Sequence, residues 1–152
     1  VKSAMTDNHL IQQVEKLVSS GHSRDEILLE TCRLLKKNIS KYTWIGFYLV
    51  HGDELMLGPF VGKPSPHTRI KFDSGICGAA VREGQTIVVD DVNADPRYLA
   101  CSLETKSEMV VPIWKDSKIV GEIDIDSGEL AAFNGKDIEL LEKVSSALSA
   151  LF

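Results

Sequence analysis

The chain has no Cys-x-x-Cys pair and only three cysteines, Cys32, Cys77 and Cys101, spread over 152 residues. Secreted disulfide scaffolds carry more, usually in even number and at close spacing, so a disulfide framework is not expected. The four histidines, His9, His22, His51 and His67, show no ligand spacing with the cysteines or with one another, which argues against structural zinc. No block of Lys and Arg interrupts a net charge of −5, so nothing stands ready to neutralise phosphates and no nucleic-acid partner is expected. Apolar runs stop far short of the roughly 20 residues of a membrane span, and no signal peptide opens the chain. The expectation is a cytoplasmic protein with no membrane partner and no metal. In such a compartment the cysteines are buried hydrophobes or redox-active thiols.

What is present is an ordinary globular composition, 43% hydrophobic and 26% charged. A single domain over 1–152 follows, long enough to bury roughly 70% of its unfolded surface. Residues 1–4 precede Met5 and are set aside as a candidate cloning remnant. "TDNHLIQQVEKLVSSG" puts Leu10, Ile11, Val14, Leu17 and Val18 on one helical face, with Gly21 as a stop. A second helix opens at Ser23 with Glu26 three residues on, a capping-box pattern. Its stripe includes Cys32, read as a small core residue.

After Ser40 the period changes. "YTWIGFYLV" and "ELMLGPF" read as strands around a turn at His51, Gly52 and Asp53, "TRIKF" as a third strand and "TIVVD" as a fourth. "SGICGAAVREG" between them reads as one short helix. "SEMVVPIW" and "KIVGEIDIDS" form a last hairpin, and "NGKDIELLEKVSSALSALF" closes the chain as an amphipathic helix with Ile138, Leu141, Val144, Leu148 and Leu151 on one face. The expected class is α+β, an antiparallel sheet of about six strands with the terminal helices on one face. Residues 91–106 form a long connection, and such connections are usually functional.

Cys101 lies on that connection, seven residues before Glu108, a carboxylate entering an apolar strand. In "EIDIDS", Glu122, Asp124 and Asp126 alternate with Ile123 and Ile125 and so share one strand face. If "KDS" (115–117) is a three-residue loop, Glu108 falls opposite Asp124; a two-residue turn would send it to the other face. Crowded, partly buried carboxylates cannot all ionise, so one would keep a proton near neutral pH and could act as a general acid. A solvated strand face is the plainer alternative, and calcium a remote one, because the loop and glycine spacing of known cages is missing. Cys77 sits near a helix start, where free amides and the dipole favour thiolate. Cys77 and Cys101 together suit a two-thiol cycle that ends in a disulfide. His67, at a proline-rich bend, reads as a solvated loop histidine.

Taken in order, "TWIGFYLV", "LGPFVGKP", "GICGAA", "ACSLETKSEMVVPI" and "GEIDIDS" resemble the free methionine-(R)-sulfoxide reductases, single-domain members of the GAF family. The resemblance implies a GAF-like fold with a small-molecule pocket on the sheet face away from the terminal helices. It implies Cys101 as catalytic thiolate, Cys77 as resolving thiol, and Glu108, Asp124 and Asp126 as pocket acids, Glu108 or Asp126 being the proton donor. Trp44 and Tyr48 would form the aromatic side that holds the substrate's methyl end. Free methionine sulfoxide is the implied substrate, a thioredoxin-type protein the implied reductant and a homodimer the implied assembly, with no cofactor. Two departures from the family pattern stand out. "KPSPHTRI" lacks the cysteine that members usually carry after "GPF.GK", so either Cys77 resolves directly, as in a two-cysteine subtype, or an external thiol does; and Ser102 stands where an aspartate is usual. Two other functions fit the same residues: a non-catalytic GAF module sensing a small molecule, and a thiol redox sensor whose output is the 77–101 disulfide.

Overall fold

Thr6 and Ser23 each hold an oxygen over the first turn of a helix, Thr6 accepting from the His9 amide and Ser23 from that of Glu26. The helices they start are α1 (Asp7–Val18) and α2 (Arg24–Asn38). The structure, a computed structural model, describes residues 5–100 and 102–152. Strands β1 (Trp44–His51), β2 (Glu54–Val61) and β3 (Arg69–Lys71) follow, then α3 (Gly75–Glu83) and β4 (Ile87–Val89). Strands β5 (Ser107–Lys115) and β6 (Lys118–Ser127) and helix α4 (Gly135–Leu148) complete the domain. Helix α1 ends at Val18, capped through the Ser19 amide, so Gly21 lies in the link beyond it rather than at the helix end.

All strand pairs are antiparallel, in the order β3-β2-β1-β6-β5-β4. The period of two divides each central strand between two cores. Ile45, Phe47, Met109, Val111, Ile113, Ile123 and Ile125 point to one side, where Leu10, Val14, Leu28, Leu35, Leu141, Val144 and Leu148 of α1, α2 and α4 cover them. Cys32 belongs to this core, and burial pushes its thiol up to about 12, which leaves it inert. On the opposite side Trp44, Tyr48, Val110, Ile70, Ile76 and Cys77 form a second cluster under α3. The GAF-like α+β arrangement expected from the sequence is the one found.

Both hairpins turn on two residues, not three. His51 pairs with Glu54 across Gly52 and Asp53, with Gly52 at φ 66°. Lys115 pairs with Lys118 across Asp116 and Ser117, whose φ values of 49° and 66° give the turn a left-handed pair without any glycine. A two-residue turn should have sent Glu108 to the helix side. It does not, because β6 carries one extra residue: Trp114 pairs with Ile119, but Ile113 pairs with Gly121, leaving Val120 as a bulge. The bulge restores the face and shifts the partner, so Glu108 lies opposite Asp126 rather than Asp124.

One buried polar cluster ties the last helix to the sheet. Asn134 accepts from the Lys136 and Asp137 amides, and the Asp137 carboxylate accepts from the Asn134 amide, closing a capping box. The same carboxylate accepts from Tyr42 Oη at 2.5 Å and Lys41 Nζ at 2.7 Å, and Lys41 also reaches the Ala132 carbonyl at 2.6 Å. Burial, and then Asp137, hold the Tyr42 phenol far above the usual tyrosine range.

Candidate active site

Trp44 and Tyr48 lie four residues apart on one face of β1, and Gly46 between them leaves room for the indole. A Cβ at Gly46 would stand 2.3 Å from the Trp44 ring and 2.9 Å from Phe60 Cβ. The indole stacks on Phe60 with centroids 5.6 Å apart and donates to the Lys63 carbonyl at 2.9 Å. Tyr48 Oη donates to the His67 carbonyl at 2.7 Å. The two rings form one wall of a tight cavity of about 20 Å3 on the α3 side of the sheet.

Six of the seven residues singled out in the sequence meet around this cavity: Trp44 and Tyr48 from β1, Cys77 from α3, Glu108 from β5, and Asp124 and Asp126 from β6. Cys101 lies outside the described residues. Its neighbours do reach the site, since Leu99 lines the cavity and the Ala100 carbonyl meets His67 Nε2 at 3.0 Å. The long connection is tied down where Arg97 pairs with Asp95 at 2.8 Å and with Glu83 at the end of α3 at 3.3 Å. His67 is therefore a half-buried wall residue contacting the connection, not a solvated loop histidine. The proline-rich "KPSPHTRI" hid this, because its bend folds back over the sheet.

Glu108 and Asp124 are buried near neighbours, and two carboxyls so placed cannot both ionise cheaply. Burial raises Asp124 above the usual aspartate range. Asp124 is 6% exposed, and its Oδ1 is buried without a hydrogen-bond partner. No Lys or Arg is among the described residues lining the cavity.

Cys77 does not behave as its helix position suggested. It stands in the first turn of α3 but is 3% exposed. Burial, followed by the charges of Asp124, Glu122 and Glu108, raises its thiol well above the usual cysteine range. Desolvation and three acids outweigh the few tenths to one kcal/mol that a helix terminus offers. Resting Cys77 is a thiol.

Glu122 was legible only as one acid of an alternating strand. It is fully buried, beside Cys77, and its two oxygens lack conventional partners. Burial is the main reason its carboxyl is raised well above the usual glutamate range, and Asp124 adds to it. Between pH 4 and those raised values the native state binds more protons than the unfolded chain, so stability falls as pH rises through this window. Glu122→Gln keeps the shape and removes the charge. Its stability should match the parent near pH 4 and exceed it increasingly above, by about 1.4 kcal/mol for each unit of the shift. Urea denaturation at pH 4, 6 and 8 reads this, and parallel slopes in variant and parent would refute it.

Cys77 Sγ and one oxygen each of Glu108 and Asp124 all lie within 4.8 Å of one another, close enough to converge on one ion. A thiol in the set is not the all-oxygen shell that calcium takes.

Comparison with known proteins identifies the family. The GAF domain model matches residues 23–151. The free methionine-R-sulfoxide reductase of Saccharomyces cerevisiae is 44% identical over 110 residues, which cover 70% of this chain and 61% of the yeast protein. The Escherichia coli free methionine-R-sulfoxide reductase is 36% identical over 121 residues, covering 80% of this chain and 73% of its own. Among solved structures, the free methionine-R-sulfoxide reductase from Neisseria meningitidis in complex with its substrate superposes with a TM-score of 0.92 at 34% identity, over 99% of this chain and 94% of that one. The chain belongs to the GAF domain family and, within it, to the relatives of the free methionine-R-sulfoxide reductases.

Proposed function

We propose that this protein reduces free methionine-(R)-sulfoxide to methionine with Cys101 as the nucleophile. The observation that carries the reading is the convergence of Cys77, Glu108, Asp124 and Asp126 on one cavity walled by Trp44 and Tyr48. The substrate offers a polar S–O group, a small methyl, and charged amino and carboxylate ends. The acids suit the ammonium, and the aromatic wall suits the methyl and side-chain carbons. The first turn of α3 has no side-chain cap, and its Gly75 and Ile76 line the cavity, so amides there suit the carboxylate.

Cys101 thiolate attacks the sulfoxide sulfur while Glu108 or Asp126 delivers a proton to the departing oxygen. The sulfoxide S–O bond breaks as its protonated oxygen passes to Cys101 Sγ. The transient bond between the two sulfurs breaks with its electron pair going to methionine, and Cys101 is left as a sulfenic acid. The Cys77 thiol condenses with it: an S–S bond forms and water departs. A thioredoxin-type dithiol reductant then reopens the disulfide, becoming oxidised in turn. The reading includes a reducing, cytoplasmic setting and a homodimer, which sedimentation would test.

The deciding assay follows NADPH consumption with a thioredoxin system and the two epimers of free methionine sulfoxide. Turnover of the R epimer is expected. Metabolite binding without turnover would make the protein a sensor module, and oxidant-driven disulfide formation alone would make it a redox sensor. Either result overturns the reading. Gly46→Ala tests the aromatic wall, because the new methyl drives the indole off Phe60 and out of the cavity. Losing about 1.4 kcal/mol of aromatic contact raises KM about tenfold and leaves kcat nearer the parent's. A fall in kcat alone would contradict that role for Trp44.

A further inference from the structure

The cavity gathers acidic groups, with no Lys or Arg among the described residues that line it. Cys77, Glu108 and Asp124 are all buried, and Glu122 and Asp126 share their sheet face. At rest, protons hold this patch together. A cation would do so better, and one side chain is already arranged for it: Asp124, buried on the cavity wall, has an Oδ1 with no hydrogen-bond partner. Cys77 Sγ and a Glu108 oxygen complete a set of three donors within 4.8 Å of one another.

We propose that the reduced protein binds one thiophilic divalent cation of the zinc class at Cys77, Glu108 and Asp124. Zinc takes thiolate at about 2.3 Å and carboxylate oxygen at about 2.0–2.2 Å, and calcium and magnesium take oxygen alone. Those lengths correspond to donors about 3.5 Å apart in a tetrahedron, so the side chains need draw in by no more than about an ångström as the ion enters. Three protein ligands leave a fourth position open to the cavity, for water or a small molecule. On binding, the Cys77 S–H bond breaks, its proton and any held by the two carboxyls go to solvent, a sulfur–metal bond forms, and nothing is oxidised or reduced. The ion therefore occupies the thiol that the cycle uses for resolution and the two carboxyls beside it. Cation and substrate exclude each other, and the metal-bound protein is an idle, protected form. Binding itself needs no substrate, so the site stands or falls separately from the reductase reading.

Cobalt(II), added anaerobically to the reduced protein, reports the ligands directly. One equivalent per chain is expected, with a thiolate-to-cobalt charge-transfer absorption in the near ultraviolet that zinc abolishes. Cys77→Ser should lose the band and Cys101→Ser should keep it. Asp124→Asn should weaken binding at least tenfold, since even an outer-shell partner is worth 10–100-fold. If Cys77→Ser fails to fold by circular dichroism, Asp124→Asn and Glu108→Gln decide the matter. An absent band, a band that survives Cys77→Ser, a band lost in Cys101→Ser, or unchanged affinity in the carboxylate variants overturns the proposal.

Discussion

Cys101→Ser lowers turnover of free methionine-(R)-sulfoxide by about a thousandfold or more, and it removes the first turnover as well as the later ones. A serine hydroxyl is not ionised near neutral pH and cannot take oxygen to form a sulfenic acid, so no slower version of the same route remains. Cys77→Ser behaves differently. It lets one equivalent of methionine form per chain and then stops, leaving Cys101 oxidised. A rapid-quench count of methionine separates the two variants: none for Cys101→Ser, one per chain for Cys77→Ser. Normal recycling in Cys77→Ser would mean that an outside thiol resolves the sulfenic acid. Normal turnover in Cys101→Ser would end the reading altogether. The buried state of Cys77 makes the contrast sharp, since a thiol held well above its usual range does not substitute as the attacking nucleophile.

Asp137→Ala should destabilise the domain by about 3 kcal/mol, the low end for breaking a buried ion pair because Lys41 keeps 27% of its side chain in solvent. The loss falls on three donors at once: Tyr42 Oη, Lys41 Nζ and the Asn134 amide all give up their carboxylate. Spread over a chain of this length, the melting temperature falls by about 6–12 °C. Tyr42→Phe removes one partner and costs about 1 kcal/mol. In the double variant the costs should not add, because the phenol no longer has an acid to lose. Full additivity, or an Asp137→Ala effect below about 1 kcal/mol, would show that Asp137 does no more than cap α4. Its distance in sequence from Tyr42 explains the size of the effect: one carboxylate fastens the start of β1 to the start of the last helix.

Strands and helices were readable because their hydrophobic periods are clean, as in Ile123 and Ile125 alternating with three acids. The hairpin register was not. A left-handed turn at Asp116 and Ser117 lacks the glycine that usually marks one, and no residue pattern announces Val120 as a bulge. Two wrong steps would have cancelled there, since the turn is shorter than the three-residue reading and the bulge compensates. Glu122 was placed on the right strand face, but its complete burial depends on α3 lying across it, which alternation alone does not encode. Asp137 was within reach, because Asn134 and Asp137 have capping-box spacing, yet its bonds to Lys41 and Tyr42 join residues almost a hundred positions apart. Of the pocket residues, Asp124 and Asp126 were recoverable from strand alternation and Glu108 as an acid entering an apolar strand, whereas Trp44 and Tyr48 came from the family resemblance alone.

Val120 acts as a parity switch for everything upstream of the last hairpin. Deleting this one aliphatic residue, which touches none of the catalytic groups, would slide β5 by one step and aim Glu108 into the greasy layer beneath the terminal helices. Insertions or deletions in this hairpin are therefore tolerable only in compensating pairs. An evolutionary or engineered length change there should erase activity and destabilise the domain together, since Met109, Val111 and Ile113 would leave the core as Glu108 entered it.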